Sequence, residues 1–596
     1  MLTPKETGRT SGFRYPAPTA CSALCESGAA STGAVAANAT VAFGFKPTSV
    51  DTAHPLCDPT HHYLLTLTKS GSTVTVRKQD VKVGSYATTA TTYAGLVAEA
   101  LAKYAGDDAG YYSRLAVVES ALDHTAFYAP SESVPGLWVP KGLAGLTPHT
   151  LLEYADATDL GRDSSGNSHH WTLAGATQST DTPTNNGCTL NPLDRRTAGG
   201  LSRGNLTTTG NAAVTLRPRS GKWYYERNGV GVSWDADLNG PFDPVLTAGT
   251  YNFGATPWTG TGPAADESPL MDAGLPEPSE PDPARYLLSC AFTAPASGGH
   301  DLIVGWDAGD SDWLLILKNL DTAEYAWFID TGTGLGRAKR PPSTAAASVL
   351  AEPVTASGGV ITIPGSILAG GDTYAACVLR ACAETGFAIV SGISHTQGVA
   401  TVFDHGLGKV PKMAFLMNTS AAAAFGVTKY HADFGINALE RFVVASLATR
   451  SGGYWHTVTA TQFGIPASYA SDHTSGTYTA YLFADAEFAT VLSGCVGSGT
   501  TDGPYADLGG RPAALLFMGC SNSTSGQYAY DPERYAGNVV PARWDAASSA
   551  VEETVDMLMI ASSGLKPIAA NNTGNKLSGC LTGLAVLAQT KYRNAF

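Results

Sequence analysis

Between residues 40 and 141 apolar and polar positions alternate in short runs. V-A-F-G-F at 41–45 and Y-L-L-T-L-T at 63–68 read as strands, and T-V-T-V-R at 73–77 has the period of two expected of a strand with one buried face. One segment has the other period. Tyr93, Leu96, Val97, Leu101 and Tyr104 fall on one helical face, Thr92 stands where a cap is needed, Glu99 and Lys103 are spaced to pair, and Gly106 ends the run. Residues 1–40 are small, polar and aperiodic, and read either as a flexible arm or as one that orders on docking to a larger particle.

Beyond residue 284 a longer repetition outranks the local pattern. T-Y-A-A-C-V-L at 373–379 with G-F-A-I-V-S-G at 386–392 returns as T-Y-T-A-Y-L-F at 477–483 with E-F-A-T-V-L-S-G at 487–494, and more weakly as G-C-L-T-G-L-A at 579–585. An earlier apolar run precedes each copy: W-L-L-I-L-K at 313–318, P-K-M-A-F-L-M at 411–417 and R-P-A-A-L-L-F-M at 511–518. The spacing predicts three related β modules, 284–390, 391–494 and 495–596. At roughly 100 residues each can hold its own core, so they read as beads in series. Tyr374, Tyr478 and Cys580 should be equivalent. Tyr374, Ala376 and Val378 should share a face, as should Tyr478, Ala480 and Leu482, and Cys580, Thr582 and Leu584; the runs through Leu314, Met413 and Ala514 should be their partner strands.

The fold class expected is therefore mainly β, a multidomain string of β-sandwich modules with one short helix near the N-terminal domain. Composition agrees: 66 of 596 residues are Gly and only 15% are charged, which favours a turn-rich protein over charge-driven disorder. A net charge of −14 without a basic stripe argues against a nucleic-acid partner. The start, M-L-T-P-K-E-T, lacks an apolar signal core and no run has transmembrane length, so the expectation is a soluble chain without a cleaved signal or membrane insertion. The ten cysteines are scattered. The close pairs Cys21/Cys25 and Cys377/Cys382 have neither redox nor zinc-ribbon spacing, and the thiols read as packed apolar groups.

The most specific string is D-S-S-G-N at 163–167 with W-T at 171–172, then D-T-P-T-N-N-G-C-T-L-N-P-L-D at 181–194 and L-S-R-G-N-L-T at 201–207. Physically it is turn chemistry, because Asx side chains bond their own backbone, Gly permits positive φ and Pro fixes φ. As a phrase it resembles one found in tail-fibre and appendage proteins of tailed bacteriophages. G-L-W-V-P-K at 136–141 resembles the end of a laminin-G-like (concanavalin-like) sandwich in those proteins, here abbreviated. S-G-K-W-Y-Y-E at 220–226, with N-F-G at 252–254 and Pro257-Trp258, resembles the opening and closing strands of an SPRY-type sandwich with most of its middle missing. G-T-T-D-G-P-Y at 499–505 and the C-terminal K-Y-R-N-A-F resemble a Gly-rich module at fibre C-termini.

The resemblance implies a domain order: an arm at 1–40 for particle attachment, a laminin-G-like β domain at 41–150, a turn-rich connector at 151–210, an SPRY-like remnant and Pro-rich linker at 211–283, and the three modules. It also implies a virion location, contacts with other tail or capsid proteins through the N-terminal region, a homo-oligomer, most often a trimer, and a host-surface glycan or protein as target.

Candidate chemistry is sparse. His54, Cys57, His61 and His62 have a spacing that zinc could use, but D-P-T between them is ordinary turn sequence and no fourth ligand is evident. His169 and His170, adjacent on extended backbone, point to opposite faces. Asp307, Asp310 and Asp312 suit either calcium or a solvated Asx turn, and the second is preferred. No nucleophile elbow, zincin, Walker or dinucleotide motif occurs. The expectation is a non-enzyme with no catalytic residue, cofactor or metal. Tyr454, Trp455, Tyr528 and Tyr530, in Gly-rich surroundings, are the candidate glycan contacts. Three function classes stay open: an adhesin, a capsid-decorating or head-fibre structural protein without receptor binding, and a glycan-cleaving spike.

Overall fold

The structure, a computed structural model, describes residues 22–25, 29–31, 33–49, 59–106, 108–130, 138–173, 175–183, 185–195, 197, 199–218, 221–239, 242, 246–271, 283–340, 346–420, 427–441, 447–449, 454–467, 473–486, 488–498, 500, 503–520, 528–530, 539–545, 553–561, 564–568 and 580–587. The fold is mainly β, with strands gathered into several antiparallel sheets and one substantial helix among the described residues.

The N-terminal sheet has the order Thr177–Ser179, Ser22–Cys25, Gly110–Val118, Asn38–Pro47, Tyr63–Ser70, Thr73–Lys78, Val81–Ala87, with Thr150–Leu152 also on Gly110–Val118. The helix Tyr93–Tyr104 lies on one face. Thr92 caps it by accepting from the Gly95 amide, and Gly106, at φ +83°, closes it by donating to the Leu101 carbonyl. Its Leu96, Val97 and Leu101 pack on Val41, Phe43, Phe45, Leu65, Leu67, Val74 and Val76. The helix covers one face of this sheet. Three expectations change here. The supposed arm is partly sheet, because Ser22–Cys25 pairs with Gly110–Val118 and Ala29–Ser31 with Trp171–Leu173; residues 1–21 lie outside the described residues. Glu99 turns from Lys103 to accept from the Thr89 amide and hydroxyl, because a loop with donors lies nearer than the exposed ammonium. The connector is not a separate segment: Trp171 and Leu173 belong to the first core, Cys188 and Leu190 to the next.

That second core is built around Lys222–Arg227, which pairs with Val230–Asp235 on one side and Gly249–Asn252 on the other, so the expected opening and closing strands are neighbours. Arg217 joins Asp194 of the connector to Asp507 of the last module, at 3.2 Å from the latter.

The three C-terminal sheets repeat one strand order. In the first, Thr373–Arg380 lies between Leu287–Thr293 and Trp313–Asn319, with Trp327–Asp330 beyond. In the second, Gly476–Phe483 lies between Phe387–His395 and Met413–Asn418, with Val427–His431 beyond. In the third, Cys580–Leu587 lies between Ala489–Val496 and Pro512–Cys520, with Tyr528–Tyr530 beyond. The expected partner strands are thus found. Tyr374 and Tyr478 are equivalent, each opposite an asparagine, Asn319 and Asn418. The module limits shift, because F-A-I-V and its echo F-A-T-V each open the next module rather than close their own. Cys580 is displaced by one position. Leu584 and Val586 face inward as Tyr481 and Phe483 do, which aligns Leu581, not Cys580, with Tyr478.

The modules are not beads. Leu314, Ile316 and Phe328 of the first, Met413, Phe415 and Phe483 of the second, and Leu516, Phe517 and Val586 of the third form one core. Each module touches the other two. The Tyr481 hydroxyl donates to Asp330 at 2.8 Å, the Lys429 ammonium donates to Thr582 Oγ1 at 2.9 Å, and the Phe328 and Phe517 rings are 6.0 Å apart. The outer faces have separate cores, covered in the first module by Val360–Ile363 with its neighbours and in the second by Thr401–Asp404 with Gln462–Ile465.

Candidate functional site

The connector string closes on the N-terminal sheet around Lys46. Side chains alternate along Asn38–Pro47: Phe43 and Phe45 point to the helix, while Gly44 and Lys46 point to the connector. Gly44 is required there, since a Cβ would sit 2.7 Å from Pro183 Cγ. The Lys46 ammonium donates to Asp181 Oδ2 at 2.8 Å, Asn186 Oδ1 at 2.9 Å and the Gly187 carbonyl at 2.8 Å, which uses its three protons. The Tyr111 ring lies 5.5 Å from it. Asp181 Oδ1 accepts from His62 Nε2 and from the Gly187 amide, both at 2.9 Å, and Asn186 Nδ2 donates to the Thr60 carbonyl at 3.0 Å.

Lys46, His62, Asp181 and Asn186 are all buried, at 1% exposure or less. Burial alone would push the Asp181 carboxyl up; Lys46 and His62 beside it outweigh that and hold it at about 2. Burial lowers His62, against the pull of Asp181, and lowers His61 well below its ordinary value, helped by His62 and Lys46. A paired charge sealed from water has no route to a diffusing substrate, so the arrangement is a lock between domains. Its sequence signal was a lysine ending an otherwise apolar strand, V-A-F-G-F-K, which demands a buried acceptor.

The other expected sites separate. His54 and Cys57 lie outside the described residues. His169 stacks on His149 at 3.8 Å and binds its carbonyl, whereas His170 Nδ1 accepts from the Asp163 amide, so the two neighbours do serve different directions. Asp163 accepts from the Leu151, Ser165 and His169 amides, which explains why the D-S-S-G-N turn begins with an acid. Asp307 accepts from the Gly309 amide and Asp312 from Thr331, and among the described residues no three His, Cys, Asp or Glu side chains are grouped to hold a metal.

Of the candidate glycan contacts, Tyr454, Trp455 and Tyr530 are buried. Trp455 packs against Tyr430, Phe463 and His473, and Tyr454 is buried in the same outer core of the second module. Tyr530 is buried with Leu515 and Met518. Glycine-rich flanks suggested exposure, but the rings supply the bulk that the small second layers lack. Tyr528 lies on Tyr528–Tyr530 with its side chain outside the described residues.

His473 adds a pH dependence. Burial, then His395, lowers it to about 3. The unfolded chain binds this proton near pH 6.5 and the folded chain does not, so stability is intact above about 6.5 and falls as pH drops from there toward 3. Urea midpoints should therefore decline between about pH 7 and pH 5, and His473→Gln should reduce that decline. A midpoint flat over this range would contradict the assignment.

Residues 365–581 match the family model described as "Domain of unknown function (DUF7483)". The match runs from the end of the first module through the second and to the final strand of the third. No match was found among curated proteins or among solved structures. Fold and site together define a mainly β, multi-module protein.

Proposed function

We propose that this chain is a non-enzymatic structural protein of a tailed-bacteriophage particle, a tail fibre or appendage whose C-terminal body meets the host surface. The observation that supports it most is the repetition of one strand order in three tandem modules, closed on a common core and reached through a locked connector. Such a body transmits force as one unit, which is what an appendage needs. The order of motifs resembles that of phage fibre proteins from about residue 110 to the C-terminus. Attachment to the particle belongs to the N-terminal region, whose strands Ser22–Cys25 and Ala29–Ser31 also join the sheets. Assembly as a trimer is the arrangement the resemblance implies.

The decorating-protein reading gains from the burial of Tyr454, Trp455 and Tyr530, which removes the aromatic surface first expected to stack on glycans. One experiment separates the two. Purified full-length chain, fluorescently labelled, should bind cells of the host in a saturable way and compete with particle adsorption. Chain that incorporates into particles but neither binds cells nor competes would sink the attachment reading and favour decoration.

A further inference from the structure

We propose that Lys46 and Asn186 form an intramolecular isopeptide bond, with Asp181 as the proton carrier. The reactants are already in place. The Lys46 Nζ is 2.9 Å from Asn186 Oδ1, the oxygen of the carbonyl it would attack, and 2.8 Å from Asp181 Oδ2. All three side chains are buried, which removes the water that would compete for the acyl carbon. The Asn186 amide is oriented by its own donation to the Thr60 carbonyl, and Asp181 is oriented by His62 and the Gly187 amide.

The chemistry balances without a further reagent. Asp181 takes a proton from the Lys46 ammonium. The freed amine lone pair attacks Asn186 Cγ and the C=O electrons move to oxygen. Asp181 returns its proton to Asn186 Nδ2 and accepts a second from the former lysine nitrogen. The oxyanion reforms its carbonyl, the C–N bond to Nδ2 breaks, and ammonia leaves, carrying the second proton away as ammonium. A lysine ammonium and a primary amide thus become a secondary amide and an ammonium ion.

Asn186 is the acyl donor rather than Asp181, because Asp181 is an ionised carboxylate with three donors on it and hence a poor electrophile. The product would staple the strand Asn38–Pro47 covalently to the connector, 140 residues away in sequence. A link of that kind holds the N-terminal sheet to the rest of the chain under tension.

Intact-mass spectrometry of the denatured full-length protein tests it, followed by peptide mapping. The expected result is a chain lighter than its sequence by one ammonia, with a branched peptide joining Lys46 to Asn186. In Lys46→Arg the loss should vanish while circular dichroism still reports a folded chain, and in Asn186→Ala it should vanish as well. An unshifted mass overturns the proposal. So does loss of one water with a branch at Asp181, or loss of ammonia without a branched peptide, the product of succinimide formation at Asn186-Gly187.

Discussion

Phe517→Ala should loosen all three C-terminal modules together. Phe517 belongs to the third module, yet its ring lies 4.5 Å from Phe415 and 6.0 Å from Phe483 of the second, and 6.0 Å from Phe328 of the first. Its backbone sits at φ +56° at a bulge in Pro512–Cys520, a costly conformation for a bulky residue. The bulge lets Leu516 and Phe517, adjacent in sequence, both enter the shared core. Removing the ring should cost about 3–5 kcal/mol, the range for large-to-small changes in a packed interior. In hydrogen exchange, protection should fall in Trp313–Asn319 and Met413–Asn418 as well as in Pro512–Cys520. Loss confined to Pro512–Cys520 would mean that the modules are independent after all.

Asp181→Ala should be the most damaging change in the N-terminal half. It removes one of the three acceptors of the buried Lys46 ammonium and, among the described residues, the carboxylate bonded to it, together with the partner of His62 and of the Gly187 amide. Breaking a buried pair by deleting one member costs about 3–5 kcal/mol, since the surviving charge cannot be rehydrated. Thermal denaturation should show a large drop in the transition of the first two domains. While Lys46 is still an ammonium the carboxyl is held at about 2, so its contribution there is full above about pH 4 and lost as pH falls toward 2. A variant within about half a kcal/mol of the native chain would show the pair to be dispensable.

Much of the fold was legible because it is local. The period of two gave the strands of the first sheet, the 3.6 period with Thr92 and Gly106 gave the helix, and self-similarity gave the three modules. What was hidden depends on which layer covers a strand. Trp313–Asn319 and Met413–Asn418 are buried at every position, and their unbroken apolar runs were the sign of two covered faces. The spacing of roughly 100 residues, enough for a separate core in each module, led instead to beads. The lock was hidden for another reason: Lys46 and Asp181 are 135 residues apart, and nothing in spacing pairs them. Tyr454 and Trp455 show the opposite hazard, where glycine neighbours suggested a loop surface and tertiary packing overrode it.

The claim that the C-terminal half is one closed body rests on contact between its first and last modules. A double-mutant cycle on Phe328 and Phe517, each changed to Ala singly and together and read by chemical denaturation of the full chain, measures that contact directly. The account predicts a coupling of about 0.5–3 kcal/mol between these residues. Strict additivity, within about 0.3 kcal/mol, would contradict it.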